Sequence, residues 1–206
     1  MKRTISIIAV AAFLLLAGKS QAQNLGINLG YAPQTTTDFV VKDMNGFFAG
    51  VNYNHALSGN IGLSFGLQGR YNIKKEEGTF LSVKGTSTHT QILLDVPLLL
   101  NFAIPFGNNV RLAIFAGPMF SFALRGNTHT KGTESITNLS AEKDYNWYGE
   151  KSNYNQFDLM GAAGAALEFQ QLRLFAGYRM GFLDLNKSDK AKSTTSGYFV
   201  GLGYIL

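Results

Sequence analysis

The most regular hydrophobic pattern in the chain runs from His89 to Leu124, where apolar residues recur at every second position on both sides of a short turn. The opposite face of the first arm is mixed and includes the carboxylate of Asp95. A strand this long, with one continuous apolar face, suits lipid on one side and a packed interior on the other. The pattern therefore predicts a membrane-spanning β-hairpin. The apolar face of its first arm consists of Ile92, Leu94, Val96, Leu98, Leu100 and Phe102.

The same alternation predicts six further strands and long polar connections between alternate pairs of them. Short turns and longer loops that alternate in this way are typical of outer-membrane barrels, whose short turns lie in the periplasm. Sheet edges cannot stay open in hydrocarbon, so the last strand must close on the first. We predict an all-β fold, an eight-stranded antiparallel transmembrane up-and-down β-barrel of the outer-membrane type, with both termini in the periplasm. The further strands are residues 25–31, 47–57, 61–73, 157–169, 172–182 and 198–206, and the long loops are 33–46, 74–87, 126–155 and 186–195.

The N-terminus carries the features of a secretory signal peptide. Lys2 and Arg3 precede an apolar run at 5–17, and Ser20-Gln21-Ala22 forms a small-residue cleavage site. We expect residues 1–22 to be cleaved and residues 23–206 to form one outer-membrane β-barrel domain. Cleavage removes three basic residues and no acid, which lowers the formal charge from +5 to +2 and leaves no basic stripe for nucleic acid. The absence of cysteine excludes a disulfide framework and a lipid-anchored cysteine.

The predicted strands contain a series of short motifs: Asp95-Val96-Pro97-Leu98-Leu99-Leu100, Gly117-Pro118, Phe157-Asp158, Gly164 with Glu168, and Tyr178-Arg179 with Gly181. In these motifs, their order and their spacing the chain resembles the PorT-like outer-membrane β-barrel family of Gram-negative cell envelopes. The chain end, with Gly201, Tyr204 and Leu206, is similar to an outer-membrane assembly signal. The resemblance implies a location in the outer membrane, with membrane lipid and the barrel assembly machinery as partners. Most members of the family have no assigned activity, but its founding member is linked to protein secretion and surface export, which makes a surface or secretion-system protein a candidate partner.

Charged residues fall on the predicted inner faces of the strands and form a candidate ionic cluster. The two-residue turn at Gln170-Gln171 places Glu168 directly opposite Arg173. Arg179 is expected to pair with Asp95 or Asp158. We interpret the cluster as a structural plug, because an eight-stranded barrel is just wide enough for its own side chains; a proton path or a ligand site is the alternative. Its members are Arg70, Asp95, Arg111, Asp158, Glu168, Arg173 and Arg179.

The histidines offer weak candidates for chemistry, since none has the paired spacing of a metal site. A surface hydrolase or acyltransferase would need His89 or His129 near Ser121 and Glu134 at the outer rim. Loop placement alone gives this grouping, so we assign no catalytic residue, metal or cofactor.

Aromatic residues are concentrated in the third long loop. Tyr145, Trp147 and Tyr148 could form a surface-binding platform, whereas Tyr154 better fits the interfacial girdle of a barrel.

Two functions stay open from sequence. The first is a non-enzymatic integral outer-membrane protein with a plugged lumen and exposed loops, acting in envelope integrity, surface binding or protein export. The second is an outer-membrane enzyme acting on lipid or surface glycan. A soluble lipocalin-like barrel fits less well, because residues 61–73 alternate in the opposite sense to such barrels, which are apolar inside.

Overall fold

The computed structural model describes residues 25–37, 39, 41–80, 83–107, 109–134, 140–148, 154–187 and 192–206. The predicted signal peptide lies outside these residues. Within them the chain forms ten strands, which are β1 Leu25–Tyr31, β2 Gln34–Thr36, β3 Asp43–Ser58, β4 Ile61–Phe80, β5 Val83–Phe106, β6 Val110–Glu134, β7 Ser140–Asn146, β8 Phe157–Phe169, β9 Leu172–Gly181 and β10 Thr195–Ile205. No helix in the described part of the chain is long and apolar enough to cross a membrane.

Eight of the strands close into an antiparallel ring. Neighbours along the chain pair in turn, β6 pairs with β8, and β1 pairs with both β3 and β10, so the ring has no open edge at its seam. The two remaining strands, β2 and β7, lie at one end of the ring. There β2 pairs with β3 and β10, and β7 pairs with β6. The predicted eight-stranded barrel is confirmed.

The side chains divide between the two faces as the alternation predicts. On β5 the side chains of Leu98, Leu100 and Phe102 are exposed on the outside, whereas Gln91 and Asp95 are buried inside. The ring therefore has an apolar outer surface and an inner face rich in polar groups, the arrangement of a barrel that is surrounded by lipid.

The two ends of the barrel differ. At one end, which we call the short-turn end, β3–β4, β5–β6 and β8–β9 are joined by tight turns. Gly59 and Gly107 have positive φ in two of these turns, where a residue with Cβ would be strained. The opposite end, where β4 and β5 meet, is called the long-hairpin end.

At the long-hairpin end the strands continue well past the predicted loop boundaries. The predicted loop at 74–87 is mostly strand, because β4 runs to Phe80 and β5 starts at Val83. The predicted loop at 126–155 likewise contains the end of β6 and all of β7. The four segments form a continuous antiparallel sheet, which we call the outer sheet: residues 74–80, 83–90, 127–134 and 140–146. These loop predictions were wrong because the segments form strands without apolar alternation, the signal on which the strand predictions rested.

Candidate functional site

The interior side chains lie in layers between the two ends of the barrel. A charged group at the short-turn end, called the mouth cluster, consists of Arg111, Glu168 and Arg173. Next comes an aromatic layer with ring centroids 6.1–6.3 Å apart, formed by Phe48, Phe115, Phe175 and Phe199. A polar network follows towards the long-hairpin end. This layering follows from the register, since inward positions succeed one another along each strand.

The polar network is centred on a buried ion pair between Arg70 of β4 and Asp95 of β5, each 1% exposed. Arg70 donates from Nε to Asp95 Oδ2 at 2.8 Å and from Nη2 to Oδ1 at 3.2 Å. Ser121 of β6 donates to Asp95 Oδ1 at 2.5 Å, and Arg70 Nη1 donates to Gln34 Oε1 at 2.5 Å. The carboxylate therefore has three donors around it, as a buried charge requires.

Further hydrogen bonds connect this ion pair to the long-hairpin end. Asn72 donates to Gln34 at 3.2 Å and to Gln91 at 2.9 Å, and Gln91 donates to the hydroxyl of Tyr148 at 2.6 Å. Gln34, Asn72 and Gln91 were not predicted as members of the network. Alternation marks Asn72 and Gln91 as inward but gives no partner, and Gln34 lies in the predicted loop at 33–46.

The mouth cluster is arranged around Glu168. Arg111 donates to Glu168 Oε2 twice, from Nη2 at 2.6 Å and from Nε at 3.0 Å. Arg173 lies opposite Glu168 in the register, as expected, but its Nε is 3.6 Å from Oε1. Arg111 faces inward in the register but lies at the rim, with its side chain 58% exposed.

Arg179 and Asp158 do not form the expected ion pair. Arg179 donates from Nη2 to the carbonyl oxygens of Ala32 at 2.8 Å and of Pro33 at 3.4 Å. Asp158 accepts from the hydroxyl of Thr195 at 2.5 Å. Asp95 is already occupied by Arg70, and no carboxylate among the described residues lies within 4.0 Å of Arg179. The prediction was wrong because the segment between β1 and β2 turns inward and supplies the carbonyl groups.

A hydrophobic cap covers the polar network at the long-hairpin end. Trp147 is fully buried together with Val41, which precedes β3, and Met44, at the start of β3, and Phe39 and Tyr148 pack against this group. The expectation of a surface platform of three aromatic residues was therefore wrong, since only Tyr145 is well exposed.

Two contacts hold the cap in place. The indole Nε1 of Trp147 donates to Thr128 at 2.9 Å, and its backbone N–H donates to Gly126 O at 2.8 Å. A Cβ at Gly126 would lie 2.6 Å from the rings of Trp147 and Tyr148, so glycine is needed there for the close approach. Burial raises the pKa of Tyr148 to about 12.

The residues considered for hydrolytic chemistry lie in separate contact groups. Ser121 belongs to the Arg70–Asp95 network. His89 is buried beside Thr128, at 2.9 Å, and its Nε2 lies 3.6 Å from Glu76. His129 contacts Asp144 at 2.7 Å. The side chain of Glu134 lies outside the described set, and the described residues contain no group of three or more potential ligands that could hold a metal ion.

One family of known proteins matches most of this chain. The family model described as "Outer membrane protein beta-barrel domain" matches residues 20–187. The chain belongs to this family. It is therefore an outer-membrane β-barrel protein, and its outer face carries exposed apolar residues.

Solved structures that are similar to this family member include three outer-membrane proteins. Ail, the attachment invasion locus protein of Yersinia pestis, is 14% identical over 88% of this chain and 98% of its own, with a TM-score of 0.38. Neisserial surface protein A is 9% identical over 90% and 98%, with a TM-score of 0.42. The outer membrane enzyme PagL is 12% identical over 87% and 99%, with a TM-score of 0.41. No significant match to a curated protein was found.

The C-terminal residues of this outer-membrane protein lie in the closing strand. Gly201 faces inward, and a Cβ there would lie 2.5 Å from the ring of Phe175. Tyr204 faces outward and donates its hydroxyl to Gln171 at 2.6 Å, and Leu206 is exposed. Gly201 and Tyr204 of the predicted assembly signal therefore lie within the strand that seals the ring against β1, and Leu206 directly follows that strand.

Proposed function

We propose that this protein is a non-enzymatic outer-membrane barrel with a closed lumen, whose outer sheet binds an extended segment of a surface or secretion-system protein. The outer sheet is the observation that carries the proposal. β5 and β6 contain 24 and 25 residues, whereas about 9–11 residues suffice to cross a bilayer. Roughly half of each strand is therefore available outside the membrane.

The edges of the outer sheet offer backbone groups to a partner. Residues 74–80 of β4 pair only with β5, and β7 pairs only with β6, among the described strands. An exposed edge of this kind can accept an added strand through main-chain hydrogen bonds, while side chains supply specificity.

Charged side chains mark both edges of the sheet. Lys74 contacts Glu76 at 3.0 Å and Lys131 contacts Glu142 at 2.7 Å. The partner lysine holds the pKa of Glu76 and of Glu142 below its usual range, so both carboxylates stay ionised at neutral pH. Polar edges of this type would favour a hydrophilic partner segment rather than lipid.

The interior supports a closed lumen in this proposal. The aromatic layer crosses the barrel, the Arg70–Asp95 network fills the space above it, and the cap covers the network. Two small interior cavities, one lined in part by Arg179 and the other by Arg70, measure about 70 and 20 Å³. They hold a few water molecules at most.

The orientation belongs to the same proposal. We place the long-hairpin end outside the cell and both termini in the periplasm, in accord with the general pattern of bacterial barrels. Cleavage of residues 1–22 and recognition of Gly201, Tyr204 and Leu206 by the barrel assembly machinery complete it. The PorT-like segments, such as Asp95-Val96-Pro97, support assignment to that branch and an accessory role in export.

Site-specific photo-crosslinking in intact cells tests the binding role. A photoreactive residue at Glu77 or Glu142, on the two edges, should give discrete protein adducts. The matched control is Leu100, which is exposed on the lipid-facing side, and should give none. Replacing residues 76–87 with a two-residue turn should abolish the Glu142 adducts while the barrel still folds. Equal adducts from Leu100, or none from either edge, would refute the proposal.

A further inference from the structure

Arg173 is a largely buried arginine whose ion pair with Glu168 is long. Its side chain is 10% exposed, and its Nε has no acceptor among the described residues. Its nearest carboxylate oxygen, Glu168 Oε1, is 3.6 Å away, beyond hydrogen-bonding distance. Because buried donors are nearly always satisfied, the unsatisfied Nε–H of this guanidinium indicates a missing acceptor.

Arg173 carries the positive charge of the mouth cluster that Glu168 does not neutralise. Arg111 directs two hydrogen bonds to Glu168, so that carboxylate is already neutralised. Two arginines and one glutamate give the cluster a formal charge of +1. Arg173 is held in place by the rings of Phe115 and Phe175, whose centroids lie 5.7 and 5.8 Å from its Cζ.

A cavity of about 310 Å³ at the short-turn end contacts this guanidinium. Its wall includes Arg111, Glu168, Arg173, Asn54 and Asn101, and it is bordered by the β3–β4 turn. The cavity reaches Arg173 from the end where the strands are joined by short turns, so a ligand could enter without disturbing the aromatic layer or the cap.

We propose that the short-turn mouth is a binding site for a small oxyanion, a phosphate or a carboxylate group, that accepts hydrogen bonds from Arg173. The planar fork of arginine matches both groups, and charge-assisted hydrogen bonds are the strongest that a neutralising ligand can make. The site is independent of the outer sheet, which lies at the opposite end of the barrel.

Isothermal titration of the folded protein in zwitterionic detergent tests the site, with inorganic phosphate and acetate as separate probes. We expect saturable binding of at least one probe. Arg173→Met keeps the packing against the two rings and should weaken binding about ten- to a hundredfold, the factor carried by one or two charge-assisted hydrogen bonds. Glu168→Gln raises the local charge from +1 to +2 and should tighten binding severalfold.

The control is Lys131→Gln, which removes one positive charge from the outer sheet and should leave the affinity unchanged. If Arg173→Met does not fold, Arg173→Lys replaces it, since it keeps the charge, loses the planar fork and should still weaken binding. Tighter binding of phosphate identifies a phosphate site, and tighter binding of acetate a carboxylate site such as a peptide terminus. Absence of saturable binding for both probes, or an equal loss in the Lys131 control, would overturn the proposal.

Discussion

Removal of Arg70 should destabilise the barrel more than removal of any comparable surface charge. Arg70→Met preserves most of the side-chain volume but leaves the Asp95 carboxylate, 1% exposed, with Ser121 as its remaining side-chain donor. An orphaned buried charge of this kind costs about 3 to 5 kcal/mol. Gln34 also loses a donor at 2.5 Å, so the expected loss lies towards the upper part of that range.

Two further variants separate the buried charge from other effects. Arg70→Met combined with Asp95→Leu removes both charges and should recover at least about 2 kcal/mol, because apolar replacement of a buried pair is often neutral or stabilising. Arg111→Met removes a cation with hydrogen bonds of similar length, but its side chain is 58% exposed and Glu168 keeps Arg173 nearby. Its loss should therefore stay below about 1 kcal/mol.

The free energy of unfolding is measured in urea, with the protein in detergent micelles or liposomes, and extrapolated linearly. Heat-dependent migration on gels reports the folded fraction of each variant. A cost below about 1 kcal/mol for Arg70→Met would contradict an unpaired buried charge at Asp95. So would a double variant that is as unstable as Arg70→Met alone.

Three other predictions concern the cap, the orientation and the lumen. Trp147→Ala should cost about 3 to 5 kcal/mol in the same urea assay, because the indole is fully buried; a loss below about 1 kcal/mol would contradict the packing. A cysteine at Lys143 should react with an impermeant maleimide on intact cells and one at Asn60 only after permeabilisation, and the reverse pattern would invert the orientation. The wild-type protein should show no steady open-pore steps in planar bilayers, since eight-stranded barrels are filled by side chains; large steps would indicate a channel.

The barrel itself was predictable because lipid imposes a simple rule on every strand that crosses it. Each second residue must be apolar, and the backbone must be fully paired. β1 and β8 therefore begin and end at the predicted residues. β8 has a Gly/Ala-rich middle without clear alternation, but Phe157, Asp158, Glu168 and Phe169 at its ends fix which face is inward.

The outer sheet was not predicted, because apolar alternation is required only of the strand segments that cross lipid. Residues 74–90 contain charged and polar side chains on both faces, which matches a loop as well as a sheet in water. The available signal was β-branched threonine at alternate positions, at Thr86, Thr88 and Thr90 and again at Thr128 and Thr130. These residues pair across β5 and β6, for instance through the hydrogen bond from Thr90 to Asn127.

Whether a contact inside the barrel could be predicted depends on how far apart its two residues lie in the chain. Glu168 and Arg173 were placed opposite each other because a two-residue turn fixes their register. Arg179 instead meets the carbonyl of Ala32, 147 positions away, which no local pattern specifies.

The cap shows why composition alone could not separate a buried aromatic residue from a binding platform. Trp147 lies in a polar stretch of the sequence, and Val41 and Met44 lie in the predicted loop at 33–46, which is also polar. Each is ambiguous by itself, because a single apolar residue in a loop is ordinary at a protein surface. Together they form a buried cluster over the polar network. The closed ring brings the two loops to the same end of the barrel. The burial of each of these residues can therefore be predicted only once the fold is known.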